Sequence, residues 1–364
     1  MDLDERSVLA IALSFIQGIG PANTKKLLAH FGDLETFFLA KRKDLKAISG
    51  LPKVAVDSFF DDGVKDRAKA VYERLSKMSA QVHLIGDKSY PYRLSWCNDA
   101  PVVLFTKGKA QVNAPRMIAI VGTRQISDEG RLICDEMIAQ LAPYGATVVS
   151  GLAYGVDIVA HRSCLKRGVP TLACLAHGLD RIYPSAHQVD AKRMLDDGGW
   201  VSEYLPGVMP DRNFFPSRNR IIAGLCDATL VVESGIKGGS MITARLANSY
   251  QREVFAIPGS LKSKCSEGTN FLIKNLEAAL VTCGDDIAKH LNWESVQAKA
   301  VQLQLDLNDN ERNILSCLPS GKSVHIDELS FQAHLSRGEL MTVLLNMELK
   351  GLISTKPGKH FARL

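Results

Sequence analysis

Residues 118–124 read IAIVGTR. An apolar run with β-branched residues that ends on glycine has the form of a buried parallel strand turning into a helix above a nucleotide. A dinucleotide fingerprint would put a second glycine at position 124, so that the backbone could approach a pyrophosphate. Arg124 stands there instead, so this turn offers a ligand a cation rather than an empty space. Five further runs repeat the strand pattern: TVVSG (147–151), TLACL (171–175), WVSEY (200–204), ATLVVES (228–234) and EVFAIPG (253–259). Amphipathic stretches such as GRLICDEMIAQLAPYG lie between them. Buried-type strands alternating with helices predict an α/β segment over 81–290, a parallel sheet with helices on both faces.

Outward from that segment the pattern changes on both sides. Residues 1–80 have apolar positions three and four apart, as in SVLAIALSFI, and predict an all-helical module. Two glycine turns interrupt it, GIGPANTKKLL (18–28) and ISGLPKVAVDSF (48–59), each similar to a helix-hairpin-helix turn. In such a turn helix N-terminal amides can hold a DNA phosphate; Asp33, Glu35 and the Asp61–Asp62 pair weigh against binding, and a small helical module that packs on its neighbour fits the turns equally well. Residues 291–307 are polar and read as a linker. Over 308–364, three helices and a hairpin turning at Pro357–Gly358 follow the winged-helix order. Ser336 and Glu339 predict a capping box on the third helix, and Gly351 its end. That presumptive recognition helix offers only Arg337, balanced by Glu339, which suits a protein contact or packing better than reading DNA.

Net charge is +5 across 364 residues, with 46% hydrophobic and 23% charged content. No zone is a polycation, so a nucleic-acid ligand would need a local basic patch. No apolar stretch approaches the roughly 20 residues of a membrane span, and the acidic start MDLDERSV lacks a signal peptide's apolar run. Eight scattered cysteines, without CxxC or metal spacing, predict reduced thiols in a cytoplasmic protein and no metal site. No cofactor is expected.

Ligands of open parallel sheets gather at the carboxyl ends of the strands. There Gly122-Thr123-Arg124 follows the first quoted strand and Ser150-Gly151 ends the second. Gly238, Gly239 and Ser240 open a helix after LVVES. Glycine turns at helix starts present unpaired amides to an anion. The segment PDRNFFPSRNRIIAG (210–224) adds Arg212, Arg218, Asn219 and Arg220 around Phe214 and Phe215. Basic residues interleaved with aromatics suit a single strand, with phosphates on the guanidinium forks and a base on a ring. One of the two rings is expected in the core.

Other candidates carry less. SGKS (320–323) lacks the first glycine of a P-loop and a preceding buried strand. Asp157 and His161, four apart, read as a structural tie rather than metal ligands. Ser150 and Ser240 lack a nucleophile elbow; His177 and His187 read as hydrogen-bonded loop residues. No catalytic constellation emerges. A nucleotide-processing enzyme resembling the phosphoribohydrolases is the alternative, with Glu203 and Glu233 as its unpartnered acids. A pure protein adaptor would leave the arginine–aromatic segment unexplained.

A series of motifs in order, among them IAIVGTR, VVSGLAYGVDIVAH, HGLDRIYPSAH, FPSRNRIIAG, VVESGIKGGSMITARLA and SEGTNFLIK, resembles the DNA-processing protein A family, also called Smf, over about 88–290. The resemblance implies an extended Rossmann-like core flanked by an N-terminal helix-hairpin-helix or SAM-like domain and a C-terminal winged helix. It implies a homodimer, not an enzyme, that binds and protects single-stranded DNA in natural transformation and recombination and loads a RecA-type recombinase. By motif it assigns DNA contacts to Arg124, to the 212–220 segment and to Gly238, Gly239 and Ser240. It puts dimer or recombinase contacts near Ala247–Asn248 and Leu272–Ile273. Three departures stand out: Ala176-His177-Gly178 replaces a cysteine–glycine, His187 stands near an expected asparagine, and Gly238 replaces a serine.

Overall fold

The computed structural model describes residues 4–295, 308–319, 323–350 and 352–363. Its contacts divide the chain into two compact units, Met1–Trp293 and Glu294–Leu364.

The first unit opens with helices α1 (Glu5–Leu13), α2 (Pro21–Phe31), α3 (Leu34–Phe38), α4 (Arg42–Lys46), α5 (Lys53–Phe59) and α6 (Val64–Lys77). Gly18, at φ +79°, turns the chain into α2, which starts on a proline whose missing amide costs nothing at that position. A Cβ on Gly18 would lie 3.2 Å from Val54 and 3.5 Å from Pro52, so the two hairpin turns pack on each other. Strand β1 (Ala80–Leu84), α7 (Tyr92–Ser95) and β2 (Val103–Gly108) lead into the alternating segment. There follow β3 (Met117–Val121), α8 (Asp128–Leu141), β4 (Thr147–Ser150), α9 (Val156–Arg167), β5 (Thr171–Cys174), α10 (Gln188–Arg193) and β6 (Gly199–Ser202). Then come α11 (Phe214–Leu225), β7 (Ala228–Val231), α12 (Gly239–Ser249), β8 (Glu253–Ala256), α13 (Glu267–Lys274), β9 (Ala279–Leu280) and α14 (Gly284–His290).

These strands form one nine-stranded sheet in the order β1-β2-β6-β5-β4-β3-β7-β8-β9. From β6 to β9 all pairings are parallel, whereas β1–β2 and β2–β6 are antiparallel. All six strands expected from the apolar runs are present; β1, β2 and β9 extend the sheet beyond them. Alternation along β3 divides the core. Ile118 and Ile120 pack with α8, α9 and α14, while Met117, Ala119 and Val121 pack with α7, α11, α12 and α13. Burial on both faces explains why these strands read as continuous apolar runs. Helices α1–α6 share a third cluster with Leu84, Phe105, Leu175 and Trp200 from the sheet.

The chain leaves β3 in one direction across the sheet, through β4, β5 and β6, and returns to its other side at β7. The switch point therefore lies between the carboxyl ends of β3 and β7, where open sheets hold ligands.

The second unit contains α15 (Asp309–Cys317), β10 (Ser323–His325), α16 (Ile326–Ala333), α17 (Arg337–Leu349), β11 (Ile353–Lys356) and β12 (His360–Arg363). Strand β10, not expected from the sequence, joins β12 because Val324 is buried against the small core around Leu329, Leu340 and Phe361. The expected capping box is formed between Ser336 and Glu339. Arg337 pairs with Asp327 at 2.7 Å. Gly351, most of the 291–307 linker and most of SGKS lie outside the described residues.

Candidate nucleic-acid interface

The turn after β3 is clamped on both sides. Thr123 donates its amide to the Glu233 carbonyl at 2.7 Å, and its own carbonyl accepts from the Val156 amide at 3.1 Å. Gly122 is glycine because a Cβ there would sit 2.3 Å from Val156 Cγ2 and 2.8 Å from the Glu233 oxygen. Gly155, at φ +78°, lets α9 start against this turn. The clamp leaves Arg124 exposed, with its guanidinium 5.5 Å from the centre of the Phe215 ring.

A cavity of about 580 Å³ opens at the switch point. Of the residues singled out in the sequence, Gly122, Thr123, Arg124, Gly151, Arg212, Phe215, Arg218, Asn219, Gly238, Gly239 and Ser240 line it. Ser150, Phe214 and Arg220 do not. Ser150 is fully buried and donates to the Ile120 carbonyl at 2.6 Å. Phe214 packs on Tyr204, ring centres 4.5 Å apart. Arg220 forms a short ion pair with Glu203, both largely buried. The expectation that one of the two rings lies in the core is corrected: both are half-buried and neither belongs to an apolar cluster, Phe214 resting on Tyr204 while Phe215 faces the cavity.

The cations differ in what they can still bind. Arg218 is only 4% exposed. Its Nη1 donates to the carbonyls of Gly151 (2.7 Å) and Cys174, and its Nε to Asn219 Oδ1 (3.2 Å). Burial pulls its pKa down and pushes that of neighbouring Asp157 up, and each charge opposes the shift of the other. Arg218 therefore forms the cavity floor and ties the ends of β4 and β5 to α11. Arg124 and Arg212 are exposed and, among the described residues, pair with no carboxylate. They are the charges open to an anion.

The glycine turns differ too. After β4, the amides of Gly151 and Ala153 donate to Asp157 Oδ2 at 3.1 and 3.3 Å, so this turn is already filled by a carboxylate. The expectation of unpaired amides there is corrected: a residue on α9 supplies the anion. His161 turns instead to Thr171 Oγ1 at 2.8 Å. The start of α12 is different. Gly238 caps it without a side-chain bond, and the Gly239 and Ser240 amides meet no acceptor among the described residues. Ser240 Oγ donates to Ser234 Oγ at 2.8 Å, and Asn219 Nδ2 reaches the Gly239 carbonyl at 3.4 Å. A Cβ on Gly239 would meet nothing within 4 Å. Open amides and a helix dipole there favour a phosphate.

Sequence reasoning passed over the half-exposed rings of Tyr154 and Tyr183, which line the cavity with Phe215. Tyr183 lies 5.9 Å from Phe215, and Tyr154 sets its ring against His187. Their signal was an aromatic residue inside two quoted turns, LAYG and IYP. The two acids of the enzyme alternative are engaged elsewhere: Glu203 with Arg220, and Glu233 with the Ser127 amide and hydroxyl. The carboxylate on the cavity wall is Asp157. No group of three or more metal-ligating side chains occurs among the described residues. Of the expected dimer or recombinase contacts, Ala247 and Leu272 are fully buried in the core, so only Asn248 and Ile273 reach the surface.

A family model described as DNA recombination-mediator protein A matches residues 81–292, and one for the DprA winged helix domain matches 298–359. Protein Smf of Synechocystis is 30% identical over 391 residues, covering 97% of this chain and 98% of its own. The X-ray structure of DNA processing protein A from Streptococcus pneumoniae matches with a TM-score of 0.65 at 34% identity, covering 78% of this chain and 96% of that one. That of Helicobacter pylori, described with a unique single-stranded DNA binding mode, matches at 0.54 and 29% identity, covering 60% and 99%.

Proposed function

The chain belongs to the DNA recombination-mediator protein A family, and we propose that it binds single-stranded DNA in the cavity between β3 and β7 and delivers the strand to a RecA-type recombinase. One observation carries the reading. Two exposed arginines without carboxylate partners among the described residues, Arg124 and Arg212, share a cavity with the open amides of Gly239 and Ser240 and with the Phe215 ring. Phosphates would take the guanidinium groups and amides; an unpaired base would stack on Phe215, with Tyr183 and Tyr154 flanking it. Unstacked bases are what a single strand offers and a duplex withholds. The binding mode described for the Helicobacter pylori relative supports this choice of ligand.

Action as a homodimer in the cytoplasm, in transformation or recombination, belongs to the same proposal. Fluorescence anisotropy with single- and double-stranded oligonucleotides across a salt series tests the binding step. Preference for the single strand is expected, with affinity falling as salt rises at about 0.7 in log–log slope per phosphate neutralised. Equal affinity for both forms, or no salt dependence, would refute it. Delivery is tested by the rate at which a RecA-type recombinase nucleates on coated single strands, which the protein should raise.

A further inference from the structure

We propose that a single strand leaving the cavity continues onto a basic ledge formed by the loops after β7 and β8, and that Lys237, Lys262 and Lys264 hold its phosphates there. The inference rests on the cavity reading and extends it to residues outside the cavity.

The ledge is built onto the cavity wall. Gly235 lines the cavity, and a Cβ on it would lie 3.7 Å from the Lys264 carbonyl oxygen. Ser234, next to it, donates its amide to the Cys265 carbonyl at 2.7 Å and accepts from the Gly268 amide at 2.7 Å. Cys265 Sγ reaches the carbonyl of Gln125, the residue after Arg124, at 3.9 Å. The loop after β8 is thereby fixed against both turns that frame the switch point.

All three lysines are exposed, and none pairs with a carboxylate among the described residues. Two exposed aliphatic side chains stand among them, Ile236 at 46% and Leu261 at 92%. The loop after β8, from Pro258 to Ser266, carries no acid, Glu267 beyond it opening α13, and the one acid of the loop after β7, Glu233, is buried and held by the Ser127 amide and hydroxyl. Unpaired cations with apolar contacts between them, continuous with a site of the same character, suit a polyanion with exposed bases. An acidic protein segment would use the charges without the continuity with the cavity.

The test compares the wild type with the Lys237→Gln/Lys262→Gln/Lys264→Gln variant on oligonucleotides of about 4 and about 16 nucleotides, by anisotropy over a salt series. The short probe fills the cavity alone; the long one also reaches the ledge. The long probe should bind the variant about 10- to 100-fold more weakly near 0.1 M salt, with a salt slope smaller by about 2, that is, three contacts at about 0.7 each. The short probe should change less than about twofold, and the melting temperature should not move, because all three side chains are exposed. Equal losses on both probes, or no loss on the long one, would overturn the ledge. A wild-type protein that binds neither probe would refute the cavity reading as well. An Arg124→Ala loss on the short probe with an unchanged long-to-short ratio in the lysine variant would sink the ledge alone.

Discussion

Two glycines on the same cavity should respond in opposite ways to one methyl group. At Gly239 an added Cβ meets no protein atom within 4 Å. Alanine also stiffens the unfolded chain, so Gly239→Ala should be neutral or stabilising by about 0.4–1 kcal/mol. Its methyl would nevertheless stand beside the amides of Gly239 and Ser240, the donors offered to a phosphate. Loss of one charge-assisted hydrogen bond is worth about 1.5–3 kcal/mol, or about 10- to 150-fold in affinity. At Gly122 the same methyl would sit 2.3 Å from Val156 Cγ2 and 2.8 Å from a backbone oxygen. The clash is internal and should cost about 1–3 kcal/mol, lowering Tm by about 2–4 °C per kcal/mol. Calorimetry and single-strand anisotropy on both variants read the contrast. The reasoning fails if Gly239→Ala binds as tightly as the wild type, or if Gly122→Ala melts at the wild-type temperature.

Three further outcomes follow from the packing. Phe215→Ala should weaken single-strand binding by about 1–3 kcal/mol, whereas Phe214→Ala, which removes the ring packed on Tyr204, should act mainly on Tm; equal binding losses would contradict the assignment of the two rings. Arg218→Met removes the donors to Gly151 and Cys174 and strands the Asp157 carboxylate, so urea denaturation should show a loss of about 3 kcal/mol or more. A wild-type midpoint would mean that Arg218 does not hold the floor. Burial pushes the pKa of His161 down to about 3, so the folded chain keeps it neutral while the unfolded chain protonates near its ordinary value. Its contribution is full above about pH 6.5 and declines as pH falls toward 3, by about 1.4 kcal/mol per unit. His161→Gln should flatten the urea midpoint between about pH 7 and 5; the same acid loss in the variant would assign it to other groups, such as the buried His83 and His177.

Much of this protein is local and legible without coordinates. The six apolar runs became strands because a strand covered on both faces needs an uninterrupted apolar run, a property of adjacent residues. The capping box at Ser336 and Glu339 is equally short-range. Shorter strands such as β9, with two residues, and β10, with three, depend on partners elsewhere for their pairing and left no periodic trace.

The state of each side chain at the site was not local. Three arginines in one nine-residue segment look alike in sequence, yet Arg212 is exposed, Arg218 is buried against carbonyls 44 and 67 residues away, and Arg220 is spent on Glu203. Likewise Asp157 fills one glycine turn and leaves the start of α12 open. The sequence determined where strands end and which residues cluster there, because backbone pattern and turn chemistry act over a few positions. Only the tertiary structure decided which cations and amides remain available, because a charge is cancelled or left open by whatever distant segment folds against it.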